Sequence, residues 1–427
     1  MKSGTVHVIG AGLAGLAAAV RLGQTGRSVI VYEAAGQAGG RCRSYFDETL
    51  GCRIDNGNHL LVSGNTAAMA YVAEIGAAAT FETSDRAEYA FFDIEKDDRW
   101  SVRPTEGRVP WWLFLAHRRV AGTEFFEYFD AVRLMRAPAT ATIAQTINTG
   151  RTIYRRLWAP LAVAALNTNA DQASARLMGE IFADTFGRGG AALHPIFPKE
   201  GLSESLIDPG IAAINAKGGE VRFAQRLRGL RFEGDRVATL DFGRGEVALG
   251  EDDAVVLAVT APVAQDLVPE LETPNVFSAI VNAHFRVESL PGPAYSFLGL
   301  IGGTAEWIFL KPGIISTTTS AADSLLDRDP EELTAAIWKD VCRAYGLGHP
   351  PVPPSRIVRE KRATFAATPD QLRRRPGART RWRNLILAGD WTDTGWPATI
   401  EGAIRSGFAA AGAVAAEPKS GGCYMSD

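Results

Sequence analysis

Cysteine is scarce in this chain and its thiols are scattered. Four of them in 427 residues, Cys42, Cys52, Cys342 and Cys423, show neither CxxC spacing nor a dense framework. That argues against a disulfide scaffold and makes a reducing cytoplasm the expected compartment. HExxH and paired Cys/His motifs are missing as well, so no metal is expected. There is no excess of positive charge: 45 Lys and Arg against 48 Asp and Glu leave −3, a poor match for nucleic acid. The local exception is Gln371 to Arg383, with arginines at 373, 374, 375, 379, 381 and 383. A solvated loop is the expectation there, and contact with anionic lipid headgroups the alternative. The uncharged stretch Ser3 to Val20 lacks a cleavage site of the usual form and carries glycines where a different signature needs them. Neither a signal peptide nor a membrane helix is therefore expected, and peripheral contact with the inner face of a membrane stays open.

The composition is that of a folded protein, 46% hydrophobic and 22% charged, at a length that points to two interleaved domains. Residues 5–15, TVHVIGAGLAG, form an apolar run that breaks into Gly10, Gly12 and Gly15. The run predicts a buried strand, Gly10 the tight turn, Gly12 close approach of backbone to a pyrophosphate, and Gly15 close packing of the helix that Leu13 and Ala14 begin. A phosphate is then expected on that helix N-terminus. A second apolar run, Ser28 to Tyr32, ends at Glu33, placed to accept hydrogen bonds from an adenosine ribose and to disfavour a 2'-phosphate. A further turn carries Gly39, Gly40 and Arg41, backbone amides plus a guanidinium that could clamp the same pyrophosphate. No second GxGxxG stands in strand-to-helix context, since Gly299, Gly302 and Gly303 do not fit one. A built-in nicotinamide site is thus not expected.

Texture changes divide the rest. Asn56-Gly57 predicts a tight turn presenting Asn58 and His59, the latter equally readable as a satisfied loop histidine. Glu88 to Val102 reads as a hairpin, and Pro110 to Phe186 as helical. Within that helical part Trp111 to Leu115 and Phe125 to Phe129 are unusually aromatic. Such stripes are usually core, the competing readings being a lipid-facing surface or the wall of an apolar tunnel. Short strands from Glu220 to Leu249 and a buried strand at Ala254 to Val259 resume the nucleotide-binding texture. Strands at Ile280 to Val287, Trp307 to Phe309 and Ile314 to Thr318, with a helix from Pro330 to Tyr345, mark a second visit to the other domain. The last strand, Asn384 to Ala388, runs into Gly389 and Asp390, and a helix begins behind Pro397. The expected architecture is α/β: a Rossmann-like domain from 1–80, 194–275 and 381–427, interleaved with a mixed α+β substrate domain from 81–193 and 276–380.

The pairing of GAGLAGLAAAVRL with GGR and a late LAGDW followed by PATIEGAIRSG resembles the flavin-containing amine oxidase and phytoene desaturase superfamily. That resemblance implies FAD as the cofactor, with Asp390 on the ribityl chain and backbone at Thr399 and Ile400 against the ring or pyrophosphate. Three segments, DNGNHLLVSGN (55–65), PLAVAALNTNADQASA (160–175) and GDWTDTGWPATIEGAIRSG (389–407), are similar to the squalene-associated branch, the bacterial hydroxysqualene dehydroxylases of hopanoid biosynthesis. The likeness implies reductive removal of an allylic hydroxyl from a long apolar isoprenoid, with electrons from a separate donor. Isoprenoid desaturation, amine oxidation and a non-enzymatic prenyl binder of the GTPase dissociation inhibitor type are the alternatives. The expected cofactor contacts are the three fingerprint glycines with Leu13 and Ala14, Glu33, Gly39 to Arg41, Asn58, His59, Gly389, Asp390, Thr399 and Ile400. Candidate acids are His59, His194 and Asp393, because their segments should lie near the flavin, and Asn167 or Thr168 could position the hydroxyl. Oligomeric state is left open.

Overall fold

The computed structural model describes residues 4–416, so Cys423 lies outside the described residues. Five parallel strands form one sheet in the order Glu220–Arg222, Ser28–Tyr32, Thr5–Ile9, Ala254–Leu257, Leu385–Leu387. Covered on both sides, its strands read as continuous apolar runs rather than alternating ones; Val6, Val8, Val255, Val256 and Leu257 are fully buried. Helix Leu13–Gln24 follows the first strand and packs against the final helix, Ile400–Ala415. A Cβ on Gly407 would lie 2.3 Å from the carbonyl oxygen of Ala14, which is how nearly the two backbones touch. An antiparallel excursion, Gly229–Glu233, Arg236–Asp241 and Glu246–Ala248, separates the third strand from the fourth in the chain.

The second sheet has seven strands in the order Ser355–Phe365, Phe277–Arg286, Ile314–Thr319, Trp307–Lys311, Ser296–Ile301, Tyr89–Asp93, Asp98–Val102. Only the Ser296–Ile301 and Tyr89–Asp93 pair is parallel. Its two faces differ in chemistry because residues alternate across the pleat. On one face Val281, Ala283, Phe285, Ile308 and Leu310 pack against Leu333, Ile337 and Val341 of helix Pro330–Tyr345. That helix is started by Asp329, whose carboxylate accepts the amides of Glu331 and Glu332, and stopped by Gly346 at φ 65°. On the other face lie Asn282, His284, Ser316 and Thr318, with Trp307 opposite Thr318 and Phe309 opposite Ser316.

Between the sheets, the region expected to be helical from Pro110 to Phe186 departs from that reading at its start. Short 3-10 turns at Trp111–Phe114, Ala116–Arg118 and Phe125–Phe129 precede the helices Asp130–Met135, Ile143–Thr146, Ala159–Leu166 and Ala175–Asp184. Pro110 and Gly122, the latter at φ 76°, interrupt the ladder that a continuous helix would need. The aromatic stripe therefore splits. Trp112 and Tyr128 point inward, whereas Trp111, Phe114, Phe125, Phe126 and Phe129 are exposed. No helix among the described residues is long and apolar enough to cross a membrane. Replacing Gly407 by Val should force the two helices apart and destabilise the protein by roughly 3 kcal/mol, read as a lower urea midpoint.

Candidate active site

The glycine loop after the first strand is shaped by three different constraints. Gly10 has φ 106°, and a Cβ there would meet the Ala258 carbonyl oxygen at 2.5 Å; one on Gly15 would lie 1.9 Å from the Gly10 oxygen. Gly12 faces open space instead, with nothing within 4 Å of its would-be Cβ. It caps helix Leu13–Gln24 without any side-chain hydrogen bond, and the first turn holds no acid, so amides at Leu13 and Ala14 stay available for an anion. The second glycine turn closes on the same spot: Gly39 bridges Gly12 and donates its N–H to the Ala11 oxygen at 2.8 Å. Gly40 follows at φ 57°, its would-be Cβ 3.6 Å from the Gly12 Cα. Glu33 accepts the amides of Ala11 and Ala35, each at 2.8 Å, leaving each oxygen a lone pair for ribose hydroxyls.

Arg41 extends from this turn to the far end of the chain. Its Nη2 donates to Asp390 Oδ1 at 2.8 Å and its Nη1 to the Ala363 oxygen at 2.5 Å. Asp390 is buried and follows Gly389, which adopts φ 146° and donates its N–H to Ser406 Oγ at 2.8 Å. A residue that sequence reasoning missed holds the next loop: buried Arg375 donates to the carbonyls of Asp390, Trp391, Thr392 and Trp396. Burial lowers its pKa to about 10. Nothing in the spacing distinguishes it from its neighbours in the arginine run, where the expectation of a solvated surface holds at exposed Arg373, Arg379, Arg381 and Arg383 and is corrected at Arg375. Arg373 pairs with Asp370, Arg374 with Glu272, Arg381 with Glu270 and Arg383 with Glu251, while Arg379 caps the Ala413 carbonyl. The exposed arginines of the run are thus engaged with neighbouring carboxylates and a carbonyl of the protein.

Thr399 caps the last helix by accepting the Gly402 amide at 3.1 Å. Glu401, the acid of that first turn, is drawn the other way: buried, it accepts the amides of Ala67 and Ala68 at 3.0 and 2.7 Å and the Nε–H of Arg405. Helix Thr66–Glu74 gains its cap, and Ile400 begins a helix whose open end carries no competing charge. The two glycine turns, Arg41, Asp390 and this helix start suit a dinucleotide.

The Asn56-Gly57 turn docks on the polar strip of that sheet. Asn58 Nδ2 donates to Thr318 Oγ1 at 3.1 Å, Thr318 donates to Asn282 Oδ1 at 2.7 Å, and Asn282 returns a bond to the Asn56 oxygen. Beside it the partly exposed Lys311 pairs with buried Asp55 at 2.7 Å. Burial pushes the Asp55 carboxyl up, but Lys311 and bonds from the Leu202 amide and Ser44 outweigh it and leave the pKa lowered. His284 binds Ser316 Oγ through Nδ1 at 2.8 Å, its Nε2 has no partner among the described residues, and burial lowers its pKa to about 4. A cavity of about 290 Å³ is lined by Asn58, Asp55, His284, Ser316, Lys311 and Tyr295 among others. Lys311 and His284 carry no sequence signal, because it is a strand pleat that brings them together.

The candidate acids fare differently. His59 keeps a partly exposed edge, yet burial lowers its pKa to about 4 with further push from Lys311 and Arg41, so at neutral pH it carries no imidazolium. His194 is committed elsewhere: its ring bonds the Ser84 oxygen at 2.8 Å and Glu106 at 3.0 Å. Burial would lower its pKa, but these bonds raise it. Asp393 is exposed and accepts the Gly395 amide in its own turn. Asn167, at φ 46°, spends its amide on the Ser278 oxygen, Thr364 Oγ1 and the Ala321 N–H, and Thr168 accepts the Ala367 amide. Both tie the helical segment to the sheet, leaving little hydrogen-bonding capacity for a substrate. Among the described residues no His, Cys, Asp and Glu group could hold a metal ion.

The model of the flavin containing amine oxidoreductase family matches residues 13–415. The chain belongs to that family. It is 50% identical to the hydroxysqualene dehydroxylase of Rhodopseudomonas palustris over 97% of this chain and 99% of that one. Identity to the hydroxysqualene dehydroxylase of Sinorhizobium fredii is 46%, covering 95% and 97%. The fold is shared with the cyclohexylamine oxidase of Brevibacterium oxydans, at TM-score 0.69 and 18% identity, covering 97% and 99%. The cofactor is a flavin.

Because the Asp55 pKa is lowered on folding, the pair contributes stability above the ordinary carboxylate range, and that contribution is lost as pH falls through the folded value. Asp55→Asn should cost about 3 kcal/mol at pH 7 and flatten the fall of the urea midpoint between about pH 5 and 3. An acid slope as steep as wild type would contradict this assignment.

Proposed function

We propose that this chain reductively removes the allylic hydroxyl of hydroxysqualene to give squalene, with FAD as its cofactor and electrons from a separate donor. The single observation that carries this reading is near-full-length identity of 50% and 46% to proteins of that name. The site agrees chemically: the sheet face beside Asn58 is walled by Trp307, Phe309, Phe297 and Phe91, a surface suited to a polyprenyl chain.

Bound reduced FAD supplies a hydride. Gly12, Gly40 and Arg41 would hold its pyrophosphate, Glu33 its adenosine ribose and Asp390 its ribityl hydroxyls, while the Thr399 helix start favours negative charge on the reduced ring. The C–O bond breaks, the oxygen takes a proton and leaves as water, and the carbon accepts the hydride. The aromatic wall excludes bulk water and attracts the positive charge that develops on the allylic carbon. For the proton at the leaving oxygen we assign Lys311 Nζ, the ammonium that Asp55 holds at the cavity, since His59 and His284 are neutral at pH 7. A substrate this apolar resides in a bilayer, so we place the enzyme at a membrane surface, on the cytoplasmic side.

Anaerobic incubation of hydroxysqualene with photoreduced and with oxidised holoenzyme tests direction and substrate together. Squalene should form only with the reduced protein, in an amount matching the flavin reoxidised. Conversion by the oxidised protein alone would mark a desaturase instead. Lys311→Met should keep its flavin and lose turnover by about 100-fold or more; unchanged turnover would remove Lys311 from the mechanism.

A further inference from the structure

Four exposed aromatic residues are gathered on one surface. Trp111 and Phe114 on one 3-10 turn stand next to Phe125 and Phe126 on another, with ring centroids 6.1 Å apart for Trp111 and Phe114 and 5.4 Å for Phe114 and Phe125. Trp111 is 64% exposed, Phe114 62% and Phe129 57%, so they project from the fold. Monomeric proteins rarely leave such rings contiguous in water without a use for them.

The charges of this stretch lean positive: residues 103–136 hold six arginines against four carboxylates. Arg108, Arg118 and Arg136 have no carboxylate partner among the described residues, although the chain as a whole carries −3. Of the acids, Glu106 holds His194 and Asp130 is buried with Arg133, while Glu124 and Glu127 accept backbone amides of their own turn and keep their charge. Aromatic rings set within a cationic rim fit an anionic bilayer, whose headgroups pair with the arginines while the rings enter the boundary with the acyl chains. A second copy of this chain fits less well, because a two-fold pairing would bring the same rim against itself.

Beneath the patch the aromatic packing continues inward. Trp112 meets Tyr128 at 5.2 Å, Tyr128 meets Trp158 at 5.8 Å and Trp158 meets Phe182 at 5.2 Å. These residues share one apolar cluster with Trp307 and Phe309 of the site-facing wall. A wide π-turn at Tyr154–Trp158 lies on this path, ahead of Pro160, which has no N–H to give the helix.

We infer that the Trp111 to Phe129 face docks the enzyme on an anionic membrane surface and is where its isoprenoid substrate enters. Docking stands on the exposed rings and their charged rim; substrate entry also rests on the proposed function. The test is co-sedimentation of holoenzyme with phosphatidylcholine vesicles, with and without one-third phosphatidylglycerol. Wild type should bind the anionic vesicles and release in high salt. Trp111→Ser/Phe126→Ser should bind about tenfold more weakly, and Arg108→Gln/Arg136→Gln should lose the preference for phosphatidylglycerol. Both variants should keep their full flavin content and their turnover in detergent, because the changes are at the surface. Equal binding by wild type and the aromatic variant would overturn the proposal, as would a wild-type dimer in solution that the same variant splits. Retained vesicle binding by a protein that does not convert hydroxysqualene would sink the proposed function and the entry route, and leave docking standing.

Discussion

The ion pair between Arg41 and Asp390 joins the turn after the second strand to the end of the last, 349 residues apart in sequence. Its geometry is short and largely screened from water on the Asp390 side, where such a pair is costly to break because the remaining charge is left alone. Other parts of the proposed cofactor site are arranged around it. Gly39 and Gly12 share a bridge on one side of Arg41. On the other, Arg375 gathers the carbonyls of residues 390–396 and so sets the approach to the Thr399 helix start. The proposed dinucleotide site is therefore built from three stretches of the chain that come together only when the fold is complete.

The parts of this groove that depend on local geometry are legible in the sequence. Gly10, Gly12 and Gly15 each answer to a different local constraint, and the continuous apolar strands announce a sheet covered on both faces. Helix Pro330–Tyr345 is readable from its period, its proline start and its glycine stop. What escapes is set by partners far away. Ser355–Phe365 is a long edge strand, but its run of Arg, Glu and Lys is suited to a solvent-facing edge and conceals the strand pattern. Ser296–Ile301 is hidden because Gly299 interrupts it; in the sheet that glycine makes room for Phe91 and Trp307, as a Cβ there would be 2.6 Å from the Phe91 ring. Arg375 looks like the other arginines of its run, and only the carbonyl cage around it separates it from them.

The catalytic half is the least legible for the same reason. His194, Asp393 and Asn167 are sensible candidates from their segments, yet their side chains are engaged in holding loops and helices in place. The groups that share the cavity, Asp55, Lys311, His284 and Asn58, come from a hairpin, two sheet strands and a turn, and only the pleat of the second sheet puts them on one face. That sheet works as a partition: one side is closed by a helix with apolar packing, and the other carries a polar strip beside an aromatic wall. The proposed reaction would use both parts of that second side, the polar strip at the leaving oxygen and the aromatic wall along the carbon chain.

The central claim is that Arg41 and Asp390 act as one unit in holding the flavin. Flavin dissociation constants of wild type, Arg41→Met, Asp390→Ala and the double variant, measured by fluorescence on reconstitution, test it most directly. Each single change should weaken binding by about tenfold or more, and the double change should be little worse than either single one. Losses that simply multiply, or any single variant that keeps wild-type affinity, would contradict the account.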